Sequence, residues 1–196
     1  MTTRDKILRC IYEDMKIYGY QGLRPDKSIL KLGLSKGAMY HYFRDKSEIG
    51  YLIVEELVQP EYLALFIPLL SYEGDPVNYI QHHVLSELKH QFDENTLTLG
   101  LPVFNLIQEM APLDEGFRTR LQIILETARD ILADGFRRGK ENGTIVPEAD
   151  PVQIALLIQS GISGAFTLGK ATRDKNTFFS CLEMTGKTLE IFRNRP

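Results

Sequence analysis

Residues 35–43, Ser35-Lys36-Gly37-Ala38-Met39-Tyr40-His41-Tyr42-Phe43, are entered through Leu32-Gly33-Leu34 and left through Arg44-Asp45-Lys46. Gly33 can take the left-handed conformation that ends a helix, and the Ser35 hydroxyl can accept from the free N–H groups that begin the next one. The stretch therefore predicts helix, tight turn, helix. Met39 and Phe43 stand four apart on one face, which leaves Lys36, Ala38, Tyr40 and Tyr42 pointing elsewhere. Small Gly37 and Ala38 in the first turn let that end approach a nucleic-acid surface, where exposed N–H groups favour phosphate. Tyr40, His41, Tyr42 and Lys46 supply further donors. A short amphipathic core helix with exposed tyrosines fits the same local pattern.

Charge distribution moves the balance toward the first reading. Residues 1–50 hold ten Lys or Arg against six carboxylates, a net of +4, whereas the remaining residues carry −7 within a total of −3. A basic N-terminal quarter on an acidic remainder is the asymmetry expected when one end meets a polyanion.

Gly19-Tyr20, then Gly33-Leu34-Ser35-Lys36-Gly37-Ala38-Met39-Tyr40-His41-Tyr42-Phe43, then Lys46-Ser47-Glu48-Ile49 resemble the N-terminal DNA-binding domain of TetR-family transcriptional regulators in both letters and spacing. The resemblance covers about the first quarter of the chain. It implies an all-helical, dimeric, ligand-responsive repressor that binds a double-stranded DNA operator. It places Lys36, Gly37, Ala38, Tyr40, His41 and Tyr42 on or beside the DNA-contacting helix, with Lys46 near a phosphate. Upstream the chain departs from the family pattern. Leu23-Arg24-Pro25-Asp26-Lys27-Ser28-Ile29-Leu30-Lys31-Leu32 lacks the usual hydroxyl cap, leaving Arg24 as the candidate phosphate contact there, and Asp14-Met15 stands where a Leu-Phe pair is common. Ile7, Leu8, Ile11, Met15 and Tyr18 still recur at helical spacing.

A second stretch, Gly100-Leu101-Pro102-Val103-Phe104-Asn105-Leu106-Ile107-Gln108-Glu109-Met110 followed by Asp114-Glu115-Gly116-Phe117-Arg118-Thr119-Arg120-Leu121, resembles the NemR and AcuR type within that family. Some members of that branch carry an oxidant-sensing Cys directly after the first Gly. Leu101 occupies that place here, so a thiol switch at this position is excluded.

The 196 residues suffice for one core of ordinary size or for a small head on a larger body; the resemblance implies the latter, a DNA-binding head of residues 1–46 and a ligand-binding, dimerising body of residues 47–196. A hydrophobic content of 43% without low-complexity tracts indicates an ordered chain. Cys10 and Cys181 form neither a disulfide framework nor a zinc pattern, which suits a reducing, bacterial-type cytoplasm. No signal peptide is visible, and the apolar run from Tyr62 to Leu70 is broken by Pro68 and far below the roughly 20 residues a membrane span needs.

Beyond residue 50 the pattern predicts helices throughout. One runs from Ser47 to Val58 and is stopped or kinked by Pro60, and a second runs from Glu61 to Leu70. Asp75-Pro76 and Asp150-Pro151 repeat one start signal, a capping carboxylate before a helix-opening proline. Further helices start near Pro102 and Asp114, and the last spans Asn176 to Arg193. No segment alternates with period two, so the fold class is all-α. The apolar helix from 151 to 171 contains Ser160, Gly161, Ser163 and Gly164, small residues that admit another helix closely, either within the chain or in a partner. By resemblance, residues 114–142 and 151–171 form the homodimer interface.

Candidate polar groups for a small-molecule pocket are Tyr79, His82, His83, Asn105, Gln108 and Glu109. Each also has a plain structural role available. The histidines lack metal-ligand spacing, and Asn105 with Glu109 could instead hold a neighbouring loop. There is no nucleophile elbow, Gly-rich phosphate loop or credible carboxylate pair, so neither an enzyme nor a cofactor is expected. An interaction protein that has lost specific DNA binding, and a DNA-binding activator, remain as alternatives.

Overall fold

The structure, a computed structural model, describes residues 1–194, all helices and turns apart from one isolated bridge between Ile145 and Arg193. In chain order, α1 is Thr3–Gly22, α2 is Pro25–Ser28 continued by a 3-10 turn at Ile29–Leu32, and α3 is Lys36–Tyr40. Helix α4 begins as Lys46–Ile53, passes through a π turn at Val54–Val58 and finishes as Gln59–Leu63. Helix α5 is likewise interrupted, Pro76–Tyr79 leading through a π turn at Ile80–Leu85 into Ser86–Gln91. After a single helical turn at Glu94–Leu97, four longer helices follow: α6 is Pro102–Met110, α7 is Glu115–Glu141, α8 is Pro151–Thr172 and α9 is Lys175–Leu189.

The start signals read from sequence are realised as hydrogen bonds. Asp75 accepts from Val77 N–H at 2.8 Å, Asp150 from Val152 N–H at 2.9 Å, and Asp114 from Phe117 N–H at 2.9 Å. Each satisfies a donor that a helix start leaves free. Pro60, however, neither stops nor sharply ends its helix. Gln59 N–H bonds back to Val54 C=O, and this wider π turn directly ahead of Pro60 takes up the missing proline donor, so α4 runs on to Leu63. The helix expected from Glu61 to Leu70 is correspondingly absent. After Leu63 the chain makes only turns and a 3-10 stretch, Ile67–Ser71, opened by Pro68.

Two compact units form, neither of them one continuous stretch. The division expected after residue 46 follows the helix-turn-helix motif, whereas packing groups residues 1–62 with 101–124, and residues 63–100 with 125–196.

In the first unit Ile7, Leu8, Ile11 and Met15 of α1 are buried together with Ile29, Met39, Phe43, Ile49 and Ile53. An aromatic cluster closes this core. Phe117 packs edge-on against Tyr20, with ring centroids 4.6 Å apart, and against Tyr51 at 5.1 Å. Those rings cross α4 at Gly50, where an added Cβ would stand 2.5 Å from Tyr20 and 2.6 Å from Phe117. Tyr51 donates to the Asp114 carboxylate at 2.9 Å and lies under Arg120, 4.3 Å from guanidinium to ring centre.

In the second unit α8 and α9 pack side by side. Gly161 allows the approach, since a Cβ there would lie 2.3 Å from the Thr185 hydroxyl, and Gly169 does the same against Phe178. A Cβ on Gly164 would meet nothing within 4 Å. Small residues of α8 thus serve packing inside the chain at Gly161 and leave open space at Gly164. One face of α8 buries Ile154, Ile158, Ile162 and Phe166, while Val152, Leu156 and Leu168 remain exposed. By length and hydropathy α8 could cross a bilayer, but that hydropathy belongs to a helix apolar on two faces, one of which is already covered by α9.

Replacing Gly50 by Ala is expected to cost about 1–3 kcal/mol, because neither ring beside it can withdraw without opening the core. A fall in urea midpoint at unchanged slope would show it, and a wild-type midpoint would refute the close crossing.

Candidate nucleic-acid interface

Gly33 closes the 3-10 end of α2 at φ 68°, and the Ser35 hydroxyl accepts from Ala38 N–H at 3.2 Å. Helix α3 therefore begins where the sequence predicted, and Met39 and Phe43 fix it inward. Lys36, Gly37, Tyr40, His41 and Tyr42 are exposed, and Ala38 is half-buried. The Lys36 ammonium lies 5.7 Å from the centre of the Tyr40 ring, and His41 packs edge-on against Tyr42 at 5.2 Å. The outward face of α3 thus carries one cation, two phenols and an imidazole beyond two small residues, which can meet phosphate and base edges together.

Arg4 supports this helix from behind. It forms a bidentate pair with Glu56 at 2.6 and 2.9 Å while its guanidinium covers the Phe43 ring at 5.6 Å. Arg24 is exposed at the start of α2 and makes no side-chain cap. Lys46 is held rather than free, donating to Gln21 C=O at 3.2 Å over the face of Tyr20 at 4.8 Å. Burial lowers its pKa against the opposing pull of Glu109.

The two departures from the family pattern meet each other. Asp14 of α1 is buried and forms an ion pair with Lys31 in the 3-10 stretch. Burial alone would raise the Asp14 pKa, but hydrogen bonds from Lys31 and Ser28 outweigh it and hold the carboxyl below its ordinary value. Cys10, on the same face, donates its thiol to Ser28 C=O at 3.2 Å, and burial raises its pKa. A buried acid on α1 thus finds its cation on the helix that lacks the usual cap.

The residues expected to line a pocket are divided between the two units. Tyr79 is buried, donates to Leu65 C=O at 3.4 Å and stacks on His83 at 5.0 Å, with Tyr72 beside both. His82 and His83 are exposed. Asn105 and Glu109 are half-buried and Gln108 is exposed on α6, which belongs to the first unit, whereas Tyr79, His82 and His83 belong to the second. Glu109 holds backbone: its carboxylate accepts from Tyr20 N–H at 2.9 Å and Gln21 N–H at 2.7 Å. These are the donors freed where α1 breaks at Gly19, with φ 70° and ψ 172°. Residues missed by sequence reasoning are Arg4, Tyr51 and Asp114, whose partners are 39 or more positions away; only the capping role of Asp114 had a local signal.

A short helix-turn-helix with a cationic, aromatic outward face, followed by a long all-helical remainder, defines a helical DNA-binding regulator. The family described as "Transcriptional regulator LmrA/YxaF-like, C-terminal domain" matches residues 76–184, more than half the chain. The chain belongs to this TetR-type family of transcriptional regulators. It is 29% identical over 181 residues to the HTH-type transcriptional regulator YxaF of Bacillus subtilis, covering 88% of this chain and 87% of that one. It is 26% identical to the transcriptional regulator AcuR of Cereibacter sphaeroides, covering 84% and 74%. Among solved structures, the regulatory protein TetR of Rhodobacter sphaeroides superposes with a TM-score of 0.76 at 25% identity, covering 93% of this chain and 96% of that one. The reduced form of Escherichia coli NemR shares the fold, with a TM-score of 0.84 at 23% identity, covering 99% and 98%.

The Asp14 pair gives a pH signature. A carboxyl whose folded pKa is depressed contributes stability above its unfolded pKa of about 3.9 and loses it as pH falls through the folded value. Between about pH 6 and about pH 3 the wild-type urea midpoint should therefore fall further than that of Asp14→Asn. Equal losses would remove the pair from the stability of the head.

Proposed function

We propose that this regulator is a homodimeric repressor that a small molecule releases from its operator. The observation that carries the DNA half is the exposed face of α3, anchored by Met39 and Phe43 and opened by a satisfied Ser35 cap. Two such helices would enter successive major-groove half-sites, about 34–36 Å apart in the standard arrangement. Lys36, Tyr40 and Tyr42 reach phosphate, while Gly37, Ala38 and His41 face bases. Arg24 and Lys46 flank them as further phosphate contacts. The chain works in the cytoplasm, beside the DNA it binds.

The dimer reading rests on α8 and α9. Val152, Leu156 and Leu168 of α8, Met184 of α9 and Ile191 just beyond it are large, apolar and exposed, and a Cβ on Gly164 of α8 would meet nothing within 4 Å. Large apolar side chains left in solvent on these helices are what a partner helix would cover. Of the two segments expected to dimerise, 151–171 keeps this support. The exposed positions of 114–142 combine Ile123 with Arg118, Asp130 and Arg137, a more charged face than an interface core, and α9 adds Met184 to the apolar surface of α8. The effector reading has weaker structural support, from π turns in α4 and α5, a feature frequent at functional sites, and from the Tyr72, Tyr79 and His83 cluster beside the second.

A titration against genomic fragments over a salt series tests the DNA half. Affinity should be sequence-selective and fall linearly in logarithm with log salt, and Lys36→Ala should reduce the slope by about 1. Flat salt dependence with no selected sequence would contradict it. Leu156→Asp should convert the dimer to a folded monomer in light scattering, with loss of tight DNA binding. A dimer that survives this change would move the interface elsewhere.

A further inference from the structure

Gln21 is gripped from both sides. Its N–H donates to Glu109 at 2.7 Å and its C=O accepts from Lys46 at 3.2 Å. The neighbouring Tyr20 N–H donates to the other Glu109 oxygen at 2.9 Å, and the Tyr20 ring carries the Lys46 ammonium on its face. The Gly19 conformation, with φ 70° and ψ 172°, is one that only glycine adopts readily, and it turns both N–H groups toward the same carboxylate. A Cβ on Gly19 would stand 2.9 Å from a Glu109 oxygen. Two residues further on, Leu23 N–H bonds to Tyr20 C=O, and the next residue is Arg24 at the entrance to α2.

We infer that Glu109 of α6 is a positioning residue for DNA binding: its carboxylate fixes the Gly19–Leu23 linker and thereby sets Arg24 and Lys46 where they can meet the phosphate backbone. The inference rests on the DNA reading given above. A carboxylate accepting two backbone N–H groups makes charge-assisted bonds, stronger than neutral ones, and defines direction as well as distance. Without it, the two donors at the break in α1 face no protein acceptor, and the Gln21 carbonyl that holds Lys46 loses its fixed orientation. Glu109 itself touches no DNA in this arrangement. Its effect passes through the Gln21 peptide to two cations, one on each flank of α3.

The test uses full-length protein and a duplex that the wild type selects from a random-sequence pool. Glu109→Gln and Glu109→Ala should weaken binding roughly ten- to hundredfold. They should lower the salt slope by about one to two while the preferred sequence stays the same, since only phosphate contacts are lost. Combining Glu109→Gln with Lys46→Ala should cost less than the sum of the single changes, because both act through the Gln21 peptide. Glu109→Gln keeps the side-chain size and one acceptor, so it remains informative where Glu109→Ala unfolds. Variants that melt earlier but keep wild-type affinity and slope would overturn the role and leave Glu109 a structural cap. A wild type that selects no duplex would overturn the DNA reading and this role with it.

Discussion

Glu109 reaches across 89 residues of sequence to the two N–H groups that the break at Gly19 leaves exposed, and the first unit depends on that capture. A helix interrupted in its last turn would otherwise leave the part-buried Tyr20 N–H without an acceptor, at a cost of about 1–3 kcal/mol if water cannot replace it. The carboxylate ties α6 to α1, so the segment after residue 100 folds with the DNA-facing head and not apart from it. Gly19-Tyr20 and the later stretches 100–110 and 114–121, all quoted for the family resemblance, meet at this junction through Glu109 and Phe117.

Around the carboxylate, packing does the rest. Phe117 sits between Tyr20 and Tyr51, and Gly50 is small because both rings cross its helix there. Asp114 has two tasks, starting α7 through Phe117 N–H and receiving the Tyr51 hydroxyl. Charge pairs then brace the other side of the head, Arg4 with Glu56 behind Phe43 and Lys31 with the buried Asp14. The recognition helix, only five residues long, owes its position to these neighbours more than to its own propensity.

Much of this was legible in the sequence where the signal is local. Ser35, Asp75-Pro76, Asp114 and Asp150-Pro151 announce their helices because a cap and its target lie within three residues. Helical spacing of apolar residues located most of the α1 core face for the same reason, with Ile7, Leu8, Ile11 and Met15 buried, but Tyr18, included in that spacing, is exposed. Long-range partners left no such trace. Glu109 looks like any polar residue on an amphipathic helix until Gly19 is placed beside it, and Asp14 looks like a flaw in α1 until Lys31 arrives. Gly161 and Gly164 are indistinguishable in sequence, yet one is filled from within the chain and the other is open. The π turn ahead of Pro60 was missed because a proline announces a lost donor but not how the preceding backbone absorbs it.

Site-resolved amide hydrogen exchange of the free protein measures the junction most directly. If the Glu109 capture organises the head, the Tyr20 and Gln21 amides exchange only when the whole unit opens, with the same free energy as the Phe117 amide. Fast exchange at Tyr20 and Gln21 while Phe117 and Met39 stay protected would contradict it.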